Sequence, residues 1–315
     1  MRNKLLWFLA ICTIGAALAT SSLVWAQTIT TFDAPGAGTA PAEGTIVEQT
    51  LQTGEIVGFY TDANLVNHGY LRSKQGTFTT FDAPGAGTSP FQGTNAYGIN
   101  ENGTITGFYL DANFAHHGYL RSKQGTFTTF DVPGAKNTNA RAINPAGTIS
   151  IPFLDASGLN HGAVRAKDGT ITTFDAPGAG TDGTMGQGTS TSMISTVGTI
   201  PGSYADASNV NHGFVRDPDG TITTFDVPAA ATAPGQGTLP ASINPEGVIT
   251  GGYFDANFAF HGFVRTHDGT ITSFDAPGAG TGPGQGTLPE SITPSGQIAG
   301  FYLDSNYVSH GFLRK

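Results

Sequence analysis

Two side chains that can do acid–base or metal chemistry recur at regular intervals along this chain of 315 residues. A histidine that precedes glycine appears six times, and an aspartate stands six positions before each of them. The histidines are His68, His117, His161, His212, His261 and His310, and the aspartates are Asp62, Asp111, Asp155, Asp206, Asp255 and Asp304. Imidazole and carboxylate groups can hold metal ions or transfer protons. Catalysis needs one asymmetric constellation, whereas these pairs occur in every copy. We therefore interpret both series as structural and predict no metal site.

The loops that these aspartates open have a second interpretation. Asp62 and Asn64 resemble the start of a calcium-binding loop, but the glycine and the distal glutamate that complete such a loop are missing. The alternative is that each carboxylate caps its own hairpin by accepting hydrogen bonds from backbone N–H groups. We predict the capping arrangement and no cofactor, and calcium binding stays open as the alternative.

Positions where the repetition is broken are better candidates for a localised function. Lys136 and Arg141 add two cations to a loop that is about five residues shorter than its counterparts, and His116 is an additional histidine one repeat away. Loops on a rigid scaffold commonly carry binding residues. His116, Lys136 and Arg141 are therefore the candidate ligand-binding residues, and neutral drift of a loop sequence is the alternative account of their presence.

The repetition itself predicts the fold. The phrase Phe-Asp-(Ala/Val)-Pro recurs at intervals of about 49 residues, and His-Gly follows the same period. Each unit contains four strand-like runs, here called A to D, separated by turn signals. The 45 glycines and 18 prolines disfavour helices. Six such units predict an all-β protein, a six-bladed β-propeller with four antiparallel strands in each blade. A solenoid is the rival architecture, but its terminal repeats would be atypical.

The two ends of the chain refine this prediction. Residues 28–33 form a lone strand D ahead of the first strand A, and the chain ends after a strand C at residues 310–314. The N-terminal strand 28–33 can therefore join the C-terminal blade and close the ring. Closure of this kind removes an exposed sheet edge without a disulfide.

Local pairing within each unit can be predicted as well. A C–D hairpin that turns around Lys74 and Gln75 would place His68 opposite Phe81 and Gly69 opposite Thr80. An apolar series in the B–C loops is expected to pack between neighbouring blades, with a ligand-stacking ring as the alternative. Its members are Leu65, Phe114, Leu159, Val210, Phe258 and Tyr307.

The repeat resembles a known family. Its pattern runs Gly-Ile-Asn-x-x-Gly-x-Ile-x-Gly, then His-Gly-(Phe/Tyr)-(Leu/Val)-Arg, then Gly-Thr-Ile-Thr-x-Phe-Asp. This pattern is similar to the HAF repeat of exported bacterial proteins, although glycine stands where that family has alanine. The resemblance covers essentially all of residues 28–315. It implies export and a propeller-like repeat fold, and it implies no particular reaction.

The N-terminus has the features of a secretory signal. Arg2 and Lys4 precede an apolar stretch, and Val24 and Ala26 provide the small residues of a cleavage site before Gln27. An uncleaved membrane anchor is the alternative. We predict a signal peptide at 1–26, a single propeller domain at 27–315 without a membrane span, and export to the periplasm or the extracellular space. The only cysteine, Cys12, would leave with the signal.

Charge and motif content narrow the function. The formal net charge of −9 disfavours nucleic acid and anionic membranes as partners. The sequence contains no Gly-x-Ser-x-Gly and no His-Glu-x-x-His motif, so no catalytic residue is predicted. We expect a monomeric binding or structural module for a glycan, a cell-envelope component or a protein. The alternative is a hydrolase or lyase with a site at the central channel of the propeller.

Overall fold

A computed structural model describes residues 31–183 and 186–315. The predicted signal at 1–26 and residues 28–30 of the predicted closing strand lie outside these ranges. Across the described residues the chain folds into 24 β-strands and no helix, so the all-β prediction is confirmed. No helix in this part of the chain could cross a membrane.

The strands follow the six sequence repeats. Repeat 1 contains β1 (Gly44–Thr50), β2 (Ile56–Thr61), β3 (Asn67–Arg72) and β4 (Phe78–Phe81), and repeat 2 contains β5 (Gly93–Ile99), β6 (Ile105–Leu110), β7 (His116–Arg121) and β8 (Phe127–Phe130). Repeat 3 contains β9 (Ala135–Thr138), β10 (Ala142–Ile143), β11 (Ile149–Asp155), β12 (Asn160–Arg165) and β13 (Ile171–Phe174). In repeat 3, β9 and β10 together occupy the position of strand A.

The second half of the chain continues the pattern. Repeat 4 contains β14 (Gly188–Thr191), β15 (Ile200–Ala205), β16 (Asn211–Arg216) and β17 (Ile222–Phe225), and repeat 5 contains β18 (Gly237–Ile243), β19 (Ile249–Phe254), β20 (Phe260–Arg265) and β21 (Ile271–Phe274). Repeat 6 contains β22 (Gly286–Ile292), β23 (Ile298–Leu303) and β24 (Ser309–Arg314). Within the described residues, repeat 6 therefore has strands A, B and C only.

The repeats are antiparallel meanders in which A pairs with B, B with C and, in repeats 1 to 5, C with D, as in repeat 1. Strand pairing between successive repeats occurs where strand C of one repeat meets the start of the next strand A in parallel, as at Asn67 and Gly93. Alternating β-branched and aromatic residues favour these strands. The core lies between repeats and contains buried Val57, Ile105 and Tyr119.

The predicted register of the C–D hairpin is wrong by one residue. Gly69 lies opposite Phe81, not Thr80, and Tyr70 lies opposite Thr80. The reason is the turn, in which Ser73 N–H donates to the carbonyl of Thr77 and so adds a residue to the loop. A Cβ atom on Gly69 would lie 2.5 Å from the ring of Phe81, so glycine is needed for this close approach.

Two contacts hold each repeat to the next. The guanidinium of Arg121 in repeat 2 lies 4.6 Å from the ring centroid of Phe81 in repeat 1, a cation–π geometry. The backbone N–H of Ala83, just after strand D, donates to the buried hydroxyl of Thr94 in the next strand A over 2.9 Å. Ala34 N–H donates to Thr45 in the same way, so the segment ahead of repeat 1 is attached to it like the other Phe-Asp-Ala-Pro segments.

Candidate functional site in the central channel

The A strands contact one another and contain a β-bulge at one repeated position. The strand register shifts at Glu48 in repeat 1, Tyr97 in repeat 2, Ala241 in repeat 5 and Glu290 in repeat 6. A bulge re-aims the side chain of the extra residue and commonly occurs next to functional sites. In repeat 3 strand A is interrupted at the corresponding residue, Arg141, and in repeat 4 strand A ends at Thr191, just before the corresponding Ser192.

This position differs from the rest of the repeat because its residue type changes from copy to copy. Its six members are Glu48, Tyr97, Arg141, Ser192, Ala241 and Glu290, and their spacings of 49, 44, 51, 49 and 49 are those of the His-Gly series. The backbone is therefore repeated, whereas the chemistry at this position is not. It is the asymmetric constellation that the histidines do not provide.

Four members form a cluster, here called the channel cluster: Glu48, Tyr97, Arg141 and Glu290. Burial raises the pKa of Glu48 from 4.5 to about 7, while the charge of Arg141 lowers it and that of Glu290 raises it further. The pKa of Glu290 is also raised by loss of hydration, and Arg141 again opposes the change. Groups from repeats 1, 3 and 6 thus lie close enough to act on one another. The A strands of these repeats therefore approach a common region, here called the channel.

Tyr97 extends the cluster outward through a column of rings. It stacks on Phe108 with ring centroids 5.3 Å apart, and Phe108 stacks on His116 at 4.8 Å with an interplanar angle of 3°. The Nδ1 atom of His116 lies 2.7 Å from the side-chain oxygen of Asn139. The column therefore runs from the channel in repeat 2 to the interrupted strand A of repeat 3.

A cavity of about 260 Å³ opens beside this column. Ring faces, amides and a guanidinium surround it, from repeats 2, 3 and 4: Tyr97, Phe108, Asn139, Arg141, Pro152, Phe153, Asn160 and Ser190. Its volume suits a ligand of about the size of one sugar ring, just below the usual range for small-molecule pockets.

The three residues predicted from sequence asymmetry occupy different places relative to this cavity. Arg141 lines it. His116 belongs to the ring column and reaches the lining residue Asn139. Lys136 lies exposed on β9 and is not among the lining residues. Its role in binding stays a prediction.

The repeated histidines lie between two aspartates on the face that carries the B–C and D–A loops. His68 Nδ1 is 2.9 Å from Asp82, and its Nε2 is 3.6 Å from Asp62. Its ring also stacks on Tyr60 at 5.0 Å. Repeats 2 to 5 have the same arrangement. His310 keeps Asp304 at 3.5 Å, but its Nδ1 has no carboxylate partner among the described residues.

The aspartates that open the B–C loops act as hairpin caps. One oxygen of Asp111 accepts hydrogen bonds from the backbone N–H groups of Asn113 and Ala115. These bonds, led by that from Ala115, lower the pKa of Asp111. In Asp155 the hydroxyl of Ser157 adds a third bond and is the largest cause of a pKa of about 2. The described residues contain no group of three or more potential metal ligands.

Comparison with known proteins supports the fold. No protein-family model matches this sequence, and no curated protein matches it. Solved structures do match. AofleA from Arthrobotrys oligospora has a TM-score of 0.52 at 14% identity, covering 86% of this chain and 83% of its own. A mutant of the Aleuria aurantia lectin in complex with alpha-methyl-L-fucoside has a TM-score of 0.50 at 12% identity, covering 85% of this chain and 90% of its own.

TolB from Acinetobacter baumannii is similar with a TM-score of 0.52 at 14% identity over 73% of this chain. The match spans only about half of that protein, 54% of its length. The Aleuria aurantia lectin is a β-propeller. At these levels of identity the likenesses show the fold alone, and the fold of this chain is a β-propeller.

Proposed function

We propose that this protein is an exported binding module whose channel cavity holds a neutral sugar residue of a glycan. The observation that carries the proposal is the composition of the cavity wall, which combines the rings of Tyr97, Phe108 and Phe153 with Asn139 and Arg141. Sugar rings have an apolar C–H face and a polar hydroxyl edge. Aromatic faces complement the first, and amide and guanidinium groups complement the second.

The charges of the channel cluster favour a neutral ligand. Arg141 is the cation that lowers the pKa values of both Glu48 and Glu290 within the described part of the chain. Two carboxyl groups therefore compete with any ligand anion for that guanidinium. Carboxylates accept hydrogen bonds from hydroxyl groups without a charge on the ligand. The likeness to a lectin crystallised with a fucoside agrees with a glycan-binding role.

Export is part of the proposal and rests on the signal-like residues 1–26 and on the resemblance to HAF repeats. We also propose six blades closed by strand 28–33. The sequence supports closure, since residues 28–33 have the pattern of a strand D that precedes the first strand A, and repeat 6 has only strands A, B and C within the described residues. In repeat 5 a Cβ atom on Gly262 would lie 2.8 Å from the ring of Phe274 in strand D. A strand D beside β24 would approach Gly311 in the same way.

A glycan array probed with residues 27–315 tests the binding function. The parent protein should retain a defined subset of neutral glycans. Arg141→Ala and Tyr97→Ala should each lose that retention at least tenfold, because they remove a hydrogen-bond donor or a stacking face. Lys74→Ala is the matched control, since Lys74 is an exposed cation in the C–D turn of repeat 1. Retention that is unchanged in both channel variants would refute the site.

A glycan hydrolase is the second candidate, and one observation favours it. A carboxyl group with a pKa of about 7, as in Glu48, is partly protonated at neutral pH and can donate a proton to a glycosidic oxygen. Glu290 would then accept a proton from the attacking water. Incubation with the retained glycan separates the two functions. If the parent releases new reducing ends and Glu48→Gln does not, the protein is a hydrolase. If the glycan stays intact with the parent, the protein is a binding module.

A further inference from the structure

The B–C loops contain residues in the left-handed backbone region. In repeat 2 the N–H of Phe114 donates to the carbonyl of Asp111, and φ of Phe114 is 63°. This is a turn followed by a left-handed residue, a position that favours glycine or asparagine. Repeats 3 and 4 have those residues there, Gly158 and Asn209. The other four repeats have bulky residues in the same conformation: Leu65, Phe114, Phe258 and Tyr307.

The D–A loop of repeat 2 has the same property. Phe91 has φ of 67°, and its N–H donates to the carbonyl of Leu65 over 2.6 Å. The same left-handed position, two residues before strand A, is occupied by glycine in repeats 4, 5 and 6: Gly186, Gly235 and Gly284. Repeat 2 therefore combines two bulky aromatic residues at two positions where the backbone favours smaller ones.

Neither phenylalanine ring packs against another aromatic ring among the described residues. Phe91 is 59% exposed and Phe114 is 52% exposed, and neither has an aromatic partner among residues 31–183 and 186–315. By contrast, Phe258 in repeat 5 contacts the ring of Phe254 at 6.0 Å and lies beside Gly235. Backbone strain together with an exposed apolar ring is unfavourable to the folded chain, and such strain is found preferentially at ligand clamps.

We propose that Phe91 and Phe114 form a second subsite, on which a further sugar ring of the bound glycan stacks. The inference rests on the proposed function and extends it from one sugar to an oligosaccharide. Phe91 precedes Tyr97 by six residues, and a strand rises about 3.3 Å per residue, so both lie within about 20 Å of each other. One oligosaccharide can therefore reach the channel cavity and the subsite.

The surroundings of the two rings select a neutral ligand. The adjacent Asp111 accepts hydrogen bonds from its own loop, so its charge stays in place and repels anions. A neutral saccharide presents an apolar face to the rings without carrying charge. A quaternary ammonium ion is the rival occupant, because aromatic rings beside carboxylates also bind such cations.

The test uses the double variant Phe91→Gly and Phe114→Asn, which copies residues that other repeats have at these positions. Phe258→Asn is the control, since it removes an aromatic residue from the same loop position in repeat 5. The probes are neutral gluco-oligosaccharides, chito-oligosaccharides and fucosylated oligosaccharides of one to six residues, with tetramethylammonium as the rival ligand. Affinity is measured by calorimetric titration and stability by thermal melting.

The proposal predicts that the double variant melts at the parental temperature or above it. Its affinity for the longer oligosaccharides should fall at least tenfold, while the affinity for a monosaccharide is unchanged. Phe258→Asn should keep the parental affinities.

Three results would overturn the subsite alone, and a fourth would overturn the proposed function with it. A melting temperature lowered by more than about 5 °C means that the rings are structural. Unchanged affinity for the longer probes, while Arg141→Ala abolishes binding, rejects the subsite and leaves the channel function intact. If the parent and Phe258→Asn bind tetramethylammonium and the double variant does not, the two rings are a cation site and not a sugar subsite. If the parent binds no oligosaccharide at all, the proposed function fails together with the subsite.

Discussion

Replacing Glu48 by Gln should remove most of the dependence of stability on pH between pH 5 and pH 8. The pKa of Glu48 is about 7 in the folded chain against an ordinary value of 4.5. The folded chain therefore binds this proton more tightly than the unfolded chain does. Its contribution to stability is fully present below about pH 4.5 and is lost as the pH rises through 7.

The size of the effect follows from the change in pKa. Each tenfold change in protonation equilibrium corresponds to about 1.4 kcal/mol, so a change from 4.5 to about 7 sets an upper limit of roughly 3 kcal/mol. Glu48 is only half-buried, and solvent screening reduces this figure. We expect about 1–2 kcal/mol, which for a domain of this size corresponds to a melting temperature about 2–3 °C lower at pH 8 than at pH 5.

Thermal melting at half-unit steps from pH 4.5 to pH 8.5 measures this directly. The parent should lose stability with rising pH, and Glu48→Gln should be nearly flat and more stable than the parent at pH 8. A small slope should persist in the variant because the pKa of Glu290 is raised as well. Glu101→Gln, in an exposed A–B turn, is the control and should follow the parent. A parental melting temperature that rises between pH 5 and pH 8 would refute the reasoning.

Three further predictions concern the scaffold. If strand 28–33 covers β24, Gly311→Ala should destabilise the fold as much as Gly262→Ala does, by about 1–3 kcal/mol, because the added methyl group overpacks the contact. An unchanged melting temperature in Gly311→Ala would reject closure. Thr94→Val should cost about 1–3 kcal/mol in denaturant unfolding, because it leaves the N–H of Ala83 buried without an acceptor, and parental stability would contradict that role. Chelation with EDTA should leave the melting temperature unchanged, since Asp111 and its counterparts already accept backbone hydrogen bonds; a lower melting temperature would instead indicate a structural calcium ion.

The fold could be predicted from the sequence because every repeat contains the same strand and turn signals. The His-Gly and Phe-Asp markers sit at fixed distances from the turns, so six copies specify the same meander. The C–D register was missed by one residue because it depends on the hydrogen bond between Ser73 and Thr77 inside the turn. Residue types alone do not distinguish that turn from one shorter by a residue.

The candidate site was only partly predictable. Arg141 and His116 were found because they break the repeat. Glu48, Tyr97 and Glu290 were missed, although they follow the same spacings as the histidines and their position holds five different residue types in six copies. A position that varies inside an otherwise regular strand was the available signal. Its meaning depends on the β-bulge and on the approach of strands from distant repeats, neither of which is visible along the chain.

The strained aromatic residues illustrate the same limit. Phe114 and Phe258 belong to an apolar loop series that was expected to pack between blades. Phe258 does contact another ring, whereas Phe114 is half exposed with φ of 63°. A backbone conformation that opposes its own residue type is a property of the folded loop and cannot be read from composition.

The most direct test of the central claim is a crystal structure of residues 27–315 soaked with a neutral sugar retained on the array. The account predicts sugar density in the channel cavity, with the ring against Tyr97 or Phe108 and hydroxyl groups within hydrogen-bond distance of Arg141 and Asn139. Density at equivalent positions in several repeats, with the channel cavity empty, would contradict the claim that the asymmetric position of strand A is the binding site.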